Sequence, residues 1–189
     1  SLKIKIITDL EFLNILEYKN TLVGVTGTNG KSTTTHFMEK IISNKNNFNV
    51  KACGNIGIPF TNLKINRNTI LIVESSSFQL AKIDKLKFNH AFLLNISKDH
   101  IEWHGSMENY IKAKMRIFKN QDSNCNAIIC VDDKYTQKIA KSFKEKFNSN
   151  LISISCNINK NVDIFLKITE CSIIIVNKIA AEKLTIPLN

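Results

Sequence analysis

The sequence lacks most of the features that would take it out of the class of ordinary globular proteins. No apolar run is long enough to cross a bilayer as a helix. The opening residues, Ser1-Leu2-Lys3-Ile4, have neither the layout nor the small-residue cleavage site of a secretory leader. No internal repeat and no low-complexity stretch is present. The five cysteines (Cys53, Cys125, Cys130, Cys156 and Cys171) form no C-x-x-C pair. An odd number without that spacing reads as small buried residues in a reducing compartment, not as a disulfide framework or metal cluster. The net charge is +10, yet no basic run interleaves with aromatics as in a nucleic-acid platform. The charge fits either an anionic small-molecule partner or a bias toward Lys, Asn and Ile with solvated lysines, and the scatter of the lysines favours the second. Together these absences lead us to expect a soluble cytoplasmic monomer with no membrane or nucleic-acid partner.

What is present is a regular alternation. The length of 189 residues, 43% of them apolar, suits one domain with a sizeable core. Strand-like apolar runs fall at Leu22–Thr26, Asn49–Cys53, Thr69–Val73, Ala91–Asn95, Ala127–Val131 and Leu151–Ser155. Helical spacing appears at Ser32–Ile42, Phe78–Ile83, Met107–Lys119 and Lys134–Phe147. Strand and helix in turn predict an α/β fold, a mostly parallel sheet with helices on both faces. The tail differs: Asp163–Ile168, Cys171–Val176 and Glu182–Ile186 are strand-like with no helix between them, which predicts a small antiparallel appendage. Residues 1–20 read as a connector, with Thr8-x-x-Glu11 as a capping box and Leu10, Leu13 and Leu16 at helical spacing. The chain stops at Pro187-Leu188-Asn189 without a closing helix, as expected of a piece cut from a longer protein.

The strongest motif is Thr26-Gly27-Thr28-Asn29-Gly30-Lys31-Ser32-Thr33, placed between a buried strand and a helix. Glycines let a loop turn tightly so that backbone N–H groups converge on phosphate oxygens, and the helix N-terminus adds positive potential. Lys31 would reach the β- and γ-phosphates and the Ser32 hydroxyl would ligate Mg²⁺. The usual first glycine of such loops is replaced by Val25, with Gly24 one place further back.

In open parallel sheets ligands sit beyond the carboxyl ends of the strands. Gly54-Asn55-Ile56-Gly57, Glu74-Ser75-Ser76-Ser77 and Asn95-Ile96-Ser97-Lys98-Asp99-His100 all follow predicted strands, so they should gather with the phosphate loop on one edge. Glu74 there is either a Mg²⁺ ligand or an acid at the start of the next helix. His100 is a metal ligand or a structural histidine. His104 reads as a loop or substrate-side residue, and His36 and His90 as structural. On a helix over 107–119, Lys114 falls in the apolar arc of Met107, Tyr110, Ile111, Ala113, Ile117 and Phe118, while Lys112, Arg116 and Lys119 fall on the opposite side. Spacing alone favours a snorkelling or ion-paired Lys114. A buried amine with a lowered pKa could instead take up carbon dioxide as a carbamate, an anionic ligand for Mg²⁺.

These motifs, in this order, resemble the Mur ligases, ATP-dependent amide-bond ligases of peptidoglycan precursor synthesis. The matching stretches are Thr26–Thr33, Gly54–Gly57, Glu74–Leu80, Asn95–His100 and Tyr110–Ile117. The segment Glu74-Ser75-Ser76-Ser77-Phe78-Gln79-Leu80 is most similar to the members that add D-glutamate. The resemblance implies that Gly27, Thr28, Asn29, Gly30, Lys31, Ser32, Thr33 and Asn55 serve ATP. It implies one Mg²⁺ on Ser32 and Glu74, and a second on His100 and a carbamylated Lys114. Ser76 and Gln79 would face the substrate. The implied substrates are UDP-N-acetylmuramoyl-L-alanine and D-glutamate, joined through an acyl phosphate. Residues 1–20 would then connect to an N-terminal domain, 21–189 would be the ATP-binding central domain, and a C-terminal ligase domain is absent. The alternatives are another Mur-type or folylpolyglutamate-type ligase, and a nucleotide-binding module without catalysis.

Overall fold

The computed structural model describes residues 6–15, 20–46, 48–57, 59–157, 161–169 and 172–187. The strands are β1 (Thr21–Thr26), β2 (Asn49–Gly54), β3 (Thr69–Glu74), β4 (His90–Leu93), β5 (Asn126–Cys130), β6 (Asn150–Ser155), β7 (Ile164–Ile168), β8 (Ser172–Asn177) and β9 (Glu182–Pro187). The helices are α1 (Lys31–Asn46), α2 (Ser77–Ala81), α3 (Ile101–His104), α4 (Met107–Met115) and α5 (Lys134–Lys141). One sheet holds all nine strands in the order β2-β3-β1-β4-β5-β6-β7-β8-β9. Pairing is parallel from β2 through β7 and antiparallel from β7 to β9.

The central strands are apolar on both faces, as parallel strands covered by helices must be. Val23, Val25, Val50 and Ile72 pack under α1, against Met38 and Ile42. Leu71, Val73, Ala91, Leu93, Ala127 and Ile129 face the other way and meet Leu80, Tyr110, Ile117, Phe118, Ile139 and Phe143. Gly24 belongs to that packing and not to the phosphate loop: a Cβ there would lie 2.9 Å from the Phe88 ring.

The expected antiparallel appendage is present as β7–β9. It continues the main sheet, because Ile154 and Ser155 of β6 pair in parallel with Ile164 and Phe165 of β7. Strand β7 starts level with the end of β6, so no helical crossover is needed. The ribbon β7–β9 therefore runs out past the carboxyl ends of the parallel strands. Cys171 lies outside the described residues.

Several local expectations are revised. The predicted helix over 107–119 is α4 followed by a 3-10 turn at Arg116–Phe118, and that over 134–147 is α5 followed by a 3-10 turn at Phe143–Glu145. The connector forms a 3-10 helix at Asp9–Ile15 without a capping box. Its Glu11 carboxylate instead accepts from the backbone N–H groups of Asp84, Lys85 and Leu86, tying the connector to the end of α2. Leu10 and Leu13 are buried as predicted, and Leu16 lies outside the described residues. Arg116 is not solvated: its guanidinium donates to the carbonyls of Leu80 and Ile83 and closes the end of α2. Cys53 and Cys125 are buried, but Cys130 is half-buried and Cys156 exposed; all four are free thiols. His36 is exposed beside Glu39, whereas His90 is half-buried against Asn126. Among the described residues no helix is long and apolar enough to cross a membrane.

Candidate active site

The loop between β1 and α1 is held in shape from β4. Asn95 accepts from the N–H of Asn29 at 2.9 Å and donates to its carbonyl at 3.0 Å. The Asn95 carbonyl takes the N–H of Thr28, and the N–H of Ser97 donates to the Thr28 hydroxyl. Gly30 adopts φ +79, a left-handed turn that frees the first turn of α1 to face the sheet edge. Ser32 and Thr33 are exposed there. Lys31 lies folded back, its Nζ donating to the Thr28 carbonyl at 2.8 Å.

Glu74 ends β3 and is 2% exposed. Its carboxylate accepts from Ser32 Oγ at 2.7 Å and from Asn55 Nδ2 at 3.1 Å. Gly54 makes the second contact possible. Its φ is +97, and a Cβ there would fall 2.2 Å from the Glu74 carbonyl. Three loops predicted to share an edge thus converge on one carboxylate.

Lys114 is 2% exposed: it lies wholly within the apolar arc of α4 and does not snorkel, which corrects the reading that spacing alone favoured. Its Nζ donates to the Gly27 carbonyl at 2.7 Å and lies 4.8 Å from the Tyr110 ring centre. Burial, aided by the Lys31 charge, lowers its pKa to about 7. A substantial share of the amine is then neutral at physiological pH. His100 stands across the site with Nε2 3.3 Å from Asp99 Oδ2. A cavity of about 120 Å³ is lined by Lys31, Asn55, Ser76, Asp99, His100, Tyr110 and Lys114 among others.

Ser76 and Gln79 form a reciprocal capping box at the start of α2. Gln79 Oε1 accepts from Ser76, and its Nε2 donates to Asp9 of the connector at 3.2 Å. Ser76 borders the cavity; the Gln79 amide is turned to the connector. Tyr110 and Asn95 are site residues that periodicity did not single out. Tyr110 OH meets Thr28 Oγ1 at 3.0 Å and is buried, so it braces the loop from α4.

The donor types bear on which cation the edge could take. Among the described residues no three His, Cys, Asp or Glu side chains form a metal cage. Ser32 Oγ and the Glu74 carboxylate are hard oxygen donors that suit Mg²⁺ completed by phosphate oxygens and water. Lys114 as a plain amine is no such ligand, whereas its carbamate would be.

A strand, a phosphate loop and a helix, with an acid at the end of the neighbouring strand, define a nucleoside-triphosphate-binding α/β domain. The chain belongs to the Mur ligase middle domain family, whose sequence profile matches residues 25–188. It is 37% identical over 152 residues to the UDP-N-acetylmuramoylalanine--D-glutamate ligase of Oceanobacillus iheyensis, covering 78% of this chain and 33% of that protein. It is 38% identical over 161 residues to the ligase of the same name from Rickettsia bellii, covering 85% and 33%. The chain thus spans about a third of the length of these curated relatives. Among solved structures it resembles the MurF ligase of Thermotoga maritima in complex with ADP, with a TM-score of 0.70, 25% identity and coverage of 95% of this chain and 42% of that one. FolC of E. coli in complex with DHPP and ADP shares the fold with a TM-score of 0.69 at 18% identity, covering 100% and 55%.

Proposed function

We propose that this chain is the ATP- and Mg²⁺-binding central part of a ligase that joins D-glutamate to UDP-N-acetylmuramoyl-L-alanine. In this reading residues 1–20 are the connector from an N-terminal substrate domain, 21–189 the central domain, and a C-terminal domain completes the enzyme. The observation that carries it is the convergence of Lys31, Ser32, Asn55, Glu74, His100 and Lys114 at one sheet edge, in a chain 37% and 38% identical to the two D-glutamate ligases named above.

The residues divide the work as follows. The N–H groups at the start of α1 and the Lys31 ammonium take the β- and γ-phosphates, with Gly27, Thr28, Asn29, Gly30 and Thr33 shaping or lining the cradle. Ser32 and Glu74 hold one Mg²⁺, with Asn55 orienting the carboxylate. His100 and a carbamate on Lys114 hold a second. Magnesium supplies charge neutralisation to the transferring phosphoryl group. Ser76, at the cavity wall, faces the muramoyl end of the substrate, and Gln79 fixes Ser76 through their shared cap. The low pKa of Lys114 leaves a nucleophilic amine for carbon dioxide: the nitrogen lone pair attacks the carbon, and the amine loses one proton to solvent.

The test is calorimetric titration of the chain with Mg²⁺ and ATP, paired with ADP release by the complete enzyme. Binding that disappears in Lys31→Ala, and ADP release that needs both UDP-N-acetylmuramoyl-L-alanine and D-glutamate, are expected. ADP release with a different acid or amine would redirect the assignment within the family.

A further inference from the structure

Helix α3 is a single turn of four residues, too short to hold itself together. Both of its caps are left-handed. His100 sits at φ 51, ψ 28 with no side-chain cap bond, and Gly105 at φ 77. A non-glycine residue is disfavoured in that region and persists only where its surroundings over-determine it. The His100 carbonyl accepts from the N–H groups of Trp103 and His104, and the His100 N–H donates to Asp99 Oδ1, but these bonds do not tie α3 to its neighbouring helices.

The side chain of His104 does. It is 8% exposed, and its Nε2 lies 3.0 Å from Ser77 Oγ at the start of α2. Its ring stacks nearly parallel on Phe78, with centres 5.7 Å apart and planes at 11°. Phe78 in turn packs on the His100 ring at 4.8 Å. On the other side His104 meets the Tyr110 ring at 5.2 Å, and Tyr110 reaches the phosphate loop through Thr28. The His104 carbonyl accepts from Asn109 Nδ2, which joins α3 to α4. One imidazole thus ties α2, α3 and α4 together, one helical turn from His100. Burial lowers its pKa, the direction that favours the neutral ring. A phenyl ring would fill the same space but leave the buried Ser77 hydroxyl without this partner.

We propose that His104 is a positioning residue: through Ser77 and Phe78 it sets the His100 ring against the phosphate loop. The consequence for catalysis rests on the reading of His100 as a metal-facing residue given above. Groups hydrogen-bonded to a metal-ligating histidine are worth about 10–100-fold in metal affinity; His104 reaches His100 only through Phe78, so the lower end of that range is expected.

The test compares wild type with His104→Phe, His104→Gln and Ser77→Ala. His104→Phe keeps the stack and loses the hydrogen bond; His104→Gln can restore the bond without the ring. Imidazole NMR signals report on His100 directly, since the chain has only four histidines. Mn²⁺ added to the ATP complex of the full enzyme is the metal probe. In His104→Phe the melting temperature should fall modestly, the His100 signals should shift, and Mn²⁺ affinity should fall about tenfold. The turnover number should drop with the KM for ATP unchanged, and His104→Gln should recover most of the loss. Unmoved His100 signals with wild-type Mn²⁺ affinity in His104→Phe would overturn the proposal. So would Mn²⁺ losses that merely follow the melting temperature across the three variants. If Mn²⁺ broadens no His100 signal in wild type, the metal reading fails, and the His100 shifts in the variants decide the anchoring on their own.

Discussion

Strand β3 and strand β8 carry nearly the same kind of sequence, Thr-Ile-Leu-Ile-Val-Glu and Ser-Ile-Ile-Ile-Val-Asn, and meet opposite surroundings. In β3, Leu71, Ile72 and Val73 are fully buried between α1 and the α2–α4 layer. Strand β8 is half-buried along its whole length, and its neighbour β9 is exposed throughout. The register explains why. Ile173 pairs with Ile168 and Ile186, and Ile175 with Leu166 and Leu184, so these six share one face of the ribbon. On it Ile168 is 68% exposed and Leu184 56%. An apolar run therefore identifies a strand but does not say whether anything covers it.

A matched pair of substitutions would break this comparison if it is wrong. Ile72→Thr places a hydroxyl in a site with no water and should cost about 2–4 kcal/mol in urea unfolding. The edge chemistry comes next. In the complete enzyme Lys31→Ala should lower ATP turnover about 10²-fold, with the melting temperature unchanged, because the residue lies on a loop. A turnover within twofold of wild type would remove Lys31 from the mechanism.

Lys114 gives a smaller effect of predictable sign. Its folded pKa of about 7 lies below the unfolded value of about 10.4. Between those limits the unfolded chain binds more protons, so this residue makes stability rise as pH increases through 7 toward 10. Below pH 7 both states are protonated and its unfavourable contribution is at its fullest. Lys114→Met should flatten that rise in a series of urea melts, and an unchanged slope would mean the amine is solvated. The smallest effect belongs to the ribbon: Ile175→Thr should change stability by less than about 1 kcal/mol, since the site already sees water. A loss equal to that of Ile72→Thr would erase the distinction between the two strands.

Much of the parallel half was legible because burial on both faces leaves continuous apolar runs, as in Leu22–Thr26 and Thr69–Val73. Lys114 was legible because helical phase placed an amine among Tyr110, Ile117 and Phe118, all of which are buried. The contacts that hold the site were not. Asn95 to Asn29, Tyr110 to Thr28 and Glu11 to the 84–86 turn join residues more than sixty positions apart, and no local period encodes them. Arg116 fell on the polar side of the helical arc, yet the carbonyls of Leu80 and Ile83 at the end of α2 lie within its reach. The ends of α4 and α5 were set too long because the apolar period runs on through the 3-10 turns while the hydrogen-bond pattern changes.

Trp103 is the only tryptophan in the sequence, and it stands at the corner of the site. Its indole is edge-on to Phe78 at 4.8 Å and to His104 at 4.5 Å, and the residue is 53% exposed. Indole fluorescence of this chain therefore comes from one place, and no second indole dilutes it. The chain carries its own optical probe of α3, so ligand titrations and stopped-flow mixing need no label.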